Sequence, residues 1–225
     1  MTKVLAYCAF RHRDNPSIPK SGVSGAQVQQ IVEGELGLLW SEVDWPFADS
    51  SVQRNAVEFH QVITHMFLQG AVVPFRLLSV FDDLSSLAAF LAANHLSFAA
   101  DLERLLDVVQ MECVLYFAPQ PGNRGSGREY LQNKAELLRK AEEFERGIRE
   151  ALGAVSQGMR RRESKNGSRI FVLVKRGNEK KFHSIVQELP IPERLARRTS
   201  GPWPAAEFLS EAVRTPQIEG QTDKT

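Results

Sequence analysis

Residues 119–127 read Pro-Gln-Pro-Gly-Asn-Arg-Gly-Ser-Gly. Two prolines and three glycines in so short a run leave little that can pack, and no backbone able to continue a helix or a ladder. A chain of 225 residues has room for one large domain or two small ones, and this stretch is where it is expected to divide. The expected organisation is an N-terminal α+β domain over 1–119, a linker over 120–127, a second domain over 128–209 and a flexible polar tail over 210–225.

Charge follows the same division. Residues 1–120 hold 7 Lys+Arg against 13 Asp+Glu, and residues 121–225 hold 21 against 14, so a net charge of +1 conceals an acidic half and a basic half. Two modules, or a module with a basic appendage, would produce that asymmetry. The second half is too diluted by acids to make a strong nucleic-acid footprint.

Within the first half, Val4 to Phe10 is a compact apolar run that suits a buried strand. A loop rich in Pro, Ser, Asn and Gly follows over 11–25, and a second strand is expected over Gly37 to Val43. Asp49, Ser50 and Ser51 offer N-caps to a helix carrying Val52, Ala56, Phe59, Ile63 and Met66, which should stop at Gly70. Ala71 to Arg76 reads as a short strand, and Pro74 confines it to a sheet edge or a bulge. Asp82 and Asp83 can cap another helix, with a fresh helical start at Ser97, and Met111 to Phe117 is strand-like again. Strands interleaved with helices imply an α+β layer with helices on one face.

In the second half, 128–152 is one long helical pattern in which acids and bases alternate at spacings of three and four. Arg160-Arg161-Arg162 leads through Asn166-Gly167 to Ile170–Val174, the strongest strand signal of this half, and a short helix is expected over 180–189. The arginine run reads as a solvated strand edge or loop, since no aromatics are interleaved with it.

Catalytic patterns are missing. His12, His60, His65, His95 and His183 show no metal-ligand spacing. Cys8 and Cys113 each sit inside an apolar run, which suits buried thiols acting as small hydrophobes rather than nucleophiles. Unpaired cysteines, and no secretory leader, point to a reducing compartment and a cytoplasmic protein. The most apolar stretch, Leu84 to Ala100, is too short and too polar to span a bilayer, so no membrane is expected. Neither a Walker-type loop nor a nucleophile elbow is present. No cofactor is implied.

Gly201-Pro202-Trp203-Pro204, followed by Phe208, is the most specific stretch of the chain, because two prolines hold one large ring in a fixed frame. It resembles the TGPWPPYxF ending of the gas vesicle GvpL/GvpF family. Three other stretches agree in order. Val72 to Phe81 resembles the family's VLPxRFGTVF segment, Met111-Glu112-Cys113-Val114 falls at a Glu-bearing strand, and Ser126 to Leu131 resembles an SGxxYL entry to a long helix. The resemblance spans 3–208. Leu77-Leu78 stand where the family has Phe-Gly, and Ala205-Ala206-Glu207 replace Pro-Tyr-Ser, as in a divergent branch.

What the resemblance implies is a non-enzymatic accessory protein located in the cytoplasm and at gas vesicles. Its fold would pair an N-terminal α+β domain with a C-terminal ferredoxin-like domain bearing a long helix. Its partners would be the apolar shell protein GvpA and other gas vesicle accessory proteins, with the chain limiting GvpA aggregation and assisting nucleation and assembly. The edge strand Val72, Val73, Pro74 and Arg76 is the expected contact for the shell subunit. Gly201, Pro202, Trp203 and Pro204 form the structural motif, with Trp203 expected to be buried near Ile170–Val174. Arg76 is expected to pair with Glu112. Two other classes compete with this reading. One is a ligand- or nucleic-acid-binding α+β module, discriminated by salt-dependent binding, and the other is a hydrolase or transferase, discriminated by a pocket of convergent polar groups.

Overall fold

The computed structural model describes residues 1–117, 127–164 and 167–214. Its backbone gathers into two compact units, Met1–Asp107 joined by the segment from Pro204 onward, and Val108–Trp203. The division thus falls before the strand Val108–Phe117, earlier than the Pro/Gly stretch suggests. Residues 118–126 of that stretch, and with them most of the expected linker, lie outside the described residues. The reason is pairing. That strand is bonded along both edges to strands from the second half of the chain, so it cannot belong to the first unit.

The first unit is organised by β1 (Thr2–Arg11). Antiparallel to it on one side run β3 (Leu36–Asp44) and, beyond that, β2 (Gln29–Glu33). On the other side lie β4 (Val72–Pro74) beside Cys8–Phe10 and β5 (Val80–Phe81) beside Val4–Leu5. Every side chain from Val4 to Phe10 is buried, on both faces of the sheet. One face is closed by α1 (Val52–Phe67) and the loop before β2: the Tyr7 ring meets Phe59 at 5.2 Å, and the Tyr7 hydroxyl accepts a hydrogen bond from the Val23 N–H at 3.0 Å. The second face is covered by α2 (Leu84–Arg104), where Phe75, Phe81, Phe90 and Phe98 form an aromatic cluster with centroids 5.3–5.9 Å apart. Helices on one face only, as the interleaving suggested, would have left half of β1 wet.

Local chemistry explains the element boundaries. Asp83 caps α2 by accepting from the Ser86 N–H at 2.7 Å, and that bond holds its carboxyl below the usual range. Ser51 does not cap α1, because its hydroxyl is spent on the Ala48 carbonyl at 2.8 Å. Ser97 starts no new helix. Helix α2 runs unbroken for 21 residues, since Leu91, Phe98 and Leu102 keep one buried face through that position. Strand β2 has no counterpart in the sequence reading. It is an edge strand whose residues are half-buried or exposed, so apolar periodicity does not mark it.

The chain returns to this unit after Trp203. Phe208, Leu209 and Val213 are buried, the Asp101 carboxylate accepts from both the N–H and the hydroxyl of Ser210, and Arg104 donates to the Phe208 carbonyl. A short helix, α5 (Glu211–Arg214), closes the segment. The expected tail therefore starts too early, and 215–225 lie outside the described residues.

The second unit follows the order strand, helix, strand, strand, helix, strand: β6 (Val108–Phe117), α3 (Gly127–Ala151), β7 (Ser156–Ser164), β8 (Gly167–Lys175), α4 (Glu179–Glu188) and β9 (Leu195–Trp203). Its sheet is antiparallel in the order β7-β8-β6-β9. One face carries Met111, Cys113, Leu115, Ile170, Val172 and Val174, all buried beneath α3 and α4, which contribute Phe144, Ile148, Phe182 and Val186. Bonds from this face to the helices agree: Arg161 Nε donates to Glu145 of α3 at 2.6 Å, and His183 of α4 shares a 3.0 Å hydrogen bond with Thr199. Both outer strands were hidden in the sequence, β7 behind its arginine run and β9 behind Arg197–Ser200.

Two substitutions on α2 test this packing. Phe98, fully buried, should cost about 3–5 kcal/mol when changed to Ala. Leu96, 82% exposed two residues away on the opposite face, should cost no more than about 0.5 kcal/mol. Urea unfolding of the two variants measures the difference, and equal losses would contradict the assigned face of the helix.

Candidate functional site

The motif Gly201-Pro202-Trp203-Pro204 lies at the end of β9, where the chain crosses from the second unit back to the first. Gly201 has φ +118°, and a side chain there would sit 2.9 Å from both the Gln110 carbonyl and the Met111 sulfur. Only glycine satisfies both demands. The Gly201–Pro202 peptide is cis.

Trp203 stands in register with Gln110 and is 38% exposed. Strand β6 separates β9 from β8, so Trp203 is not a cross-strand neighbour of Ile170–Val174. Its indole N–H donates to Ser200 Oγ at 3.2 Å, Ser200 Oγ donates to Glu112 Oε2 at 3.0 Å, and Arg169 donates to Glu112 Oε1 at 3.1 Å. The motif therefore ends a polar chain across three strands and fastens an edge strand to the sheet.

Glu112 is thus engaged within its own unit, and Arg76 is not its partner. Arg76 belongs to the other unit and is exposed, with no side-chain ion pair or hydrogen bond among the described residues. Its backbone forms a turn with Ser79, through 3.2 Å and 2.9 Å hydrogen bonds, and Leu77-Leu78 occupy the turn. Val72 and Val73 are 3% and 1% exposed, so their side chains belong to the core. Strand β4 does lie at the sheet edge, as Pro74 requires.

A hollow of about 280 Å³ opens beside α3, lined by Leu115, Phe117, Leu138 and Leu195 with Lys134 and Glu142. At its base the Glu145 carboxylate, largely buried, is held by Arg161 and by the Ser168 hydroxyl. Both carboxylate oxygens are thus engaged, which suits an interior brace. Cys8 and Cys113 are both buried, and burial pushes the Cys113 thiol up to about 12 and Cys8 higher still. Among the described residues no cluster of His, Cys, Asp and Glu could hold a metal ion.

A surface that the sequence reading passed over is the outward side of α2. From Leu84 to Ala100 the helix has no Asp, Glu, Lys or Arg, and Ser85, Ala89, Ala92, Ala93, Leu96 and Ala100 share its exposed face. Solvent-facing helix positions are ordinarily charged. The sequence marks the stretch as a helix too short and too polar to span a bilayer, and no helix among the described residues is long and apolar enough to cross a membrane.

The model of gas vesicle synthesis proteins GvpL/GvpF matches residues 3–210. The chain belongs to that family. Two solved structures agree with the assignment. One is the gas vesicle protein GvpF from Anabaena sp. PCC7120, with a TM-score of 0.72 at 15% identity, covering 91% of this chain and 94% of that one. The other is GvpF from Microcystis aeruginosa, with a TM-score of 0.67 at 14% identity, covering 88% and 95%. At such identities the likeness speaks for the shared mixed α/β fold with antiparallel sheets. A sequence comparison with curated proteins yields no match. In this GvpL/GvpF protein the Gly-Pro-Trp-Pro stretch closes β9, and Leu77-Leu78 fall in a turn where Leu78 is exposed.

Three outcomes are expected. Gly201→Ala should destabilise the fold by about 1–3 kcal/mol through its backbone conformation alone, with the clash in addition. Trp203→Ala should cost less than the 3–5 kcal/mol of a buried aromatic; paired thermal melts rank the two, and the reverse order would make the ring the anchor. Both thiols should resist a disulfide reagent at pH 8 in the native state and react only on unfolding. Rapid native labelling of either would show an open thiol.

Proposed function

We propose that this GvpL/GvpF protein is a non-catalytic assembly factor that binds an apolar, GvpA-like shell subunit, limits its aggregation and assists vesicle nucleation. It would act in the cytoplasm and at the vesicle together with other accessory proteins, without cofactor, membrane or nucleic acid. The observation that carries this reading is the uncharged outward face of α2, where Leu96 is 82% exposed. A charge-free face of small side chains lets another apolar backbone approach closely without desolvating ions.

Strand β4 remains a second proposed contact. The Val72 and Val73 side chains are buried, so the strand would contribute through its outer backbone edge and the half-buried Pro74, with exposed Arg76 beside it. The second unit we read as ferredoxin-like. Its strand–helix–strand–strand–helix–strand order and its antiparallel β7-β8-β6-β9 sheet support that assignment.

Co-expression with a GvpA-like subunit should raise that subunit's soluble fraction and allow it to co-purify. Ala93→Glu with Leu96→Glu should return the soluble fraction to its unassisted level, with circular dichroism unchanged because both positions are exposed. A wild-type chain that neither solubilises the subunit nor co-purifies with it would overturn the role.

A further inference from the structure

The two units are more sharply polarised than the two halves of the sequence. The first carries 9 Lys+Arg against 16 Asp+Glu, the second 19 against 11, giving net charges of −7 and +8. On the second unit Arg160, Arg162, Arg169 and Arg198 lie on the sheet face turned away from α3 and α4.

Register places the side chains of that face. Arg162 of β7 pairs with Arg169 of β8, Arg169 with Val114 of β6, and Val114 with Arg198 of β9. Three arginines therefore stand in one row across four strands, a span of about 14 Å at the usual strand spacing. In the next row Arg160 pairs with Phe171, Phe171 with Glu112, and Glu112 with Ser200. All four arginines are exposed, and Tyr116 on the same face is 42% exposed. Glu112, bonded to Arg169, is the one acid among these register positions. Four exposed arginines on one face give it a charge that complements an anionic surface.

The first unit has a matching surface. Glu42 and Asp44 alternate along β3 opposite Val4 and Thr2, and Asp82 and Asp83 follow β5, which also pairs with Val4. Four carboxylates thus gather at the end of the sheet where β1 begins. Lys3 stands beside them and pairs with Asp82. All four are exposed.

We propose that the arginine row of the second unit docks on the acidic end of the first unit of a second copy of this chain. The contact joins two different surfaces and so is head-to-tail, able to propagate along a ring or a filament. Single-stranded nucleic acid is the less favoured occupant. Phe171, the aromatic at the centre of the face, is only 6% exposed, and Glu112 stands beside it where a phosphate would pass. The inference does not depend on the shell-subunit reading.

Sedimentation velocity of the full chain over a concentration series tests it. At 50 mM salt the weight-average sedimentation coefficient should rise with concentration, and at 500 mM salt the association should weaken at least tenfold. Arg162→Glu with Arg198→Glu should abolish association, as should Glu42→Arg with Asp44→Arg. Mixing the two double variants should restore it, because each then offers the surface that the other needs, and restoration also shows that both are folded. A wild-type chain that stays monomeric at 50 mM salt would overturn the proposal. So would association that survives both sets of charge reversal, or a face that binds a single-stranded oligonucleotide while the chain fails to self-associate.

Discussion

Each unit is built around one ten-residue strand bonded along both edges, β1 in the first and β6 in the second. A strand in that position must satisfy all its backbone groups through its neighbours and bury side chains on at least one face, so it dictates what surrounds it. Around β1 this demand recruits helices to both faces. Around β6 it recruits two hairpin-distant strands and leaves one face without helices of its own. The placement of these two strands settles the division of the chain, which is why the boundary falls before Val108 and not at the Pro/Gly stretch.

Charge is handled differently on the two faces of the second sheet. On the helix face, Glu145 is buried and bound by Arg161 and Ser168, so its charge is answered in place. On the open face, Arg160, Arg162, Arg169 and Arg198 share the surface with Glu112. Strand alternation produces this contrast, since neighbouring arginines of the 160–162 run point to opposite faces. A run that looks uniform in the sequence is split by the pleat into a brace and a surface.

The Gly-Pro-Trp-Pro stretch proves to be a fastening. Gly201 lets β9 approach the β6 backbone, and the polar chain from Trp203 through Ser200 to Glu112 holds that approach. The surface suited to apolar contact lies elsewhere, on α2, where nothing conspicuous is conferred by any single residue. What distinguishes it is a missing class of side chain.

By itself the sequence determined β1, β3, α1, β4, β6, α3, β8 and α4, because each repeats apolar residues at the strand or helix period or carries a decisive Pro or cap. Membership of the GvpL/GvpF family was legible as well, through Gly201–Pro204 and the segments around Val72 and Glu112. Tertiary structure alone decided the edge strands β2, β7 and β9, whose polar sequences reflect one solvated side. It also decided the continuity of α2 through Ser97, where packing on both sides outweighs a weak local signal. It moved Trp203 to a strand edge and gave Glu112 to Arg169, because both outcomes turn on which strands are neighbours. Neighbourhood is a property of long-range pairing, and local periodicity carries no record of it.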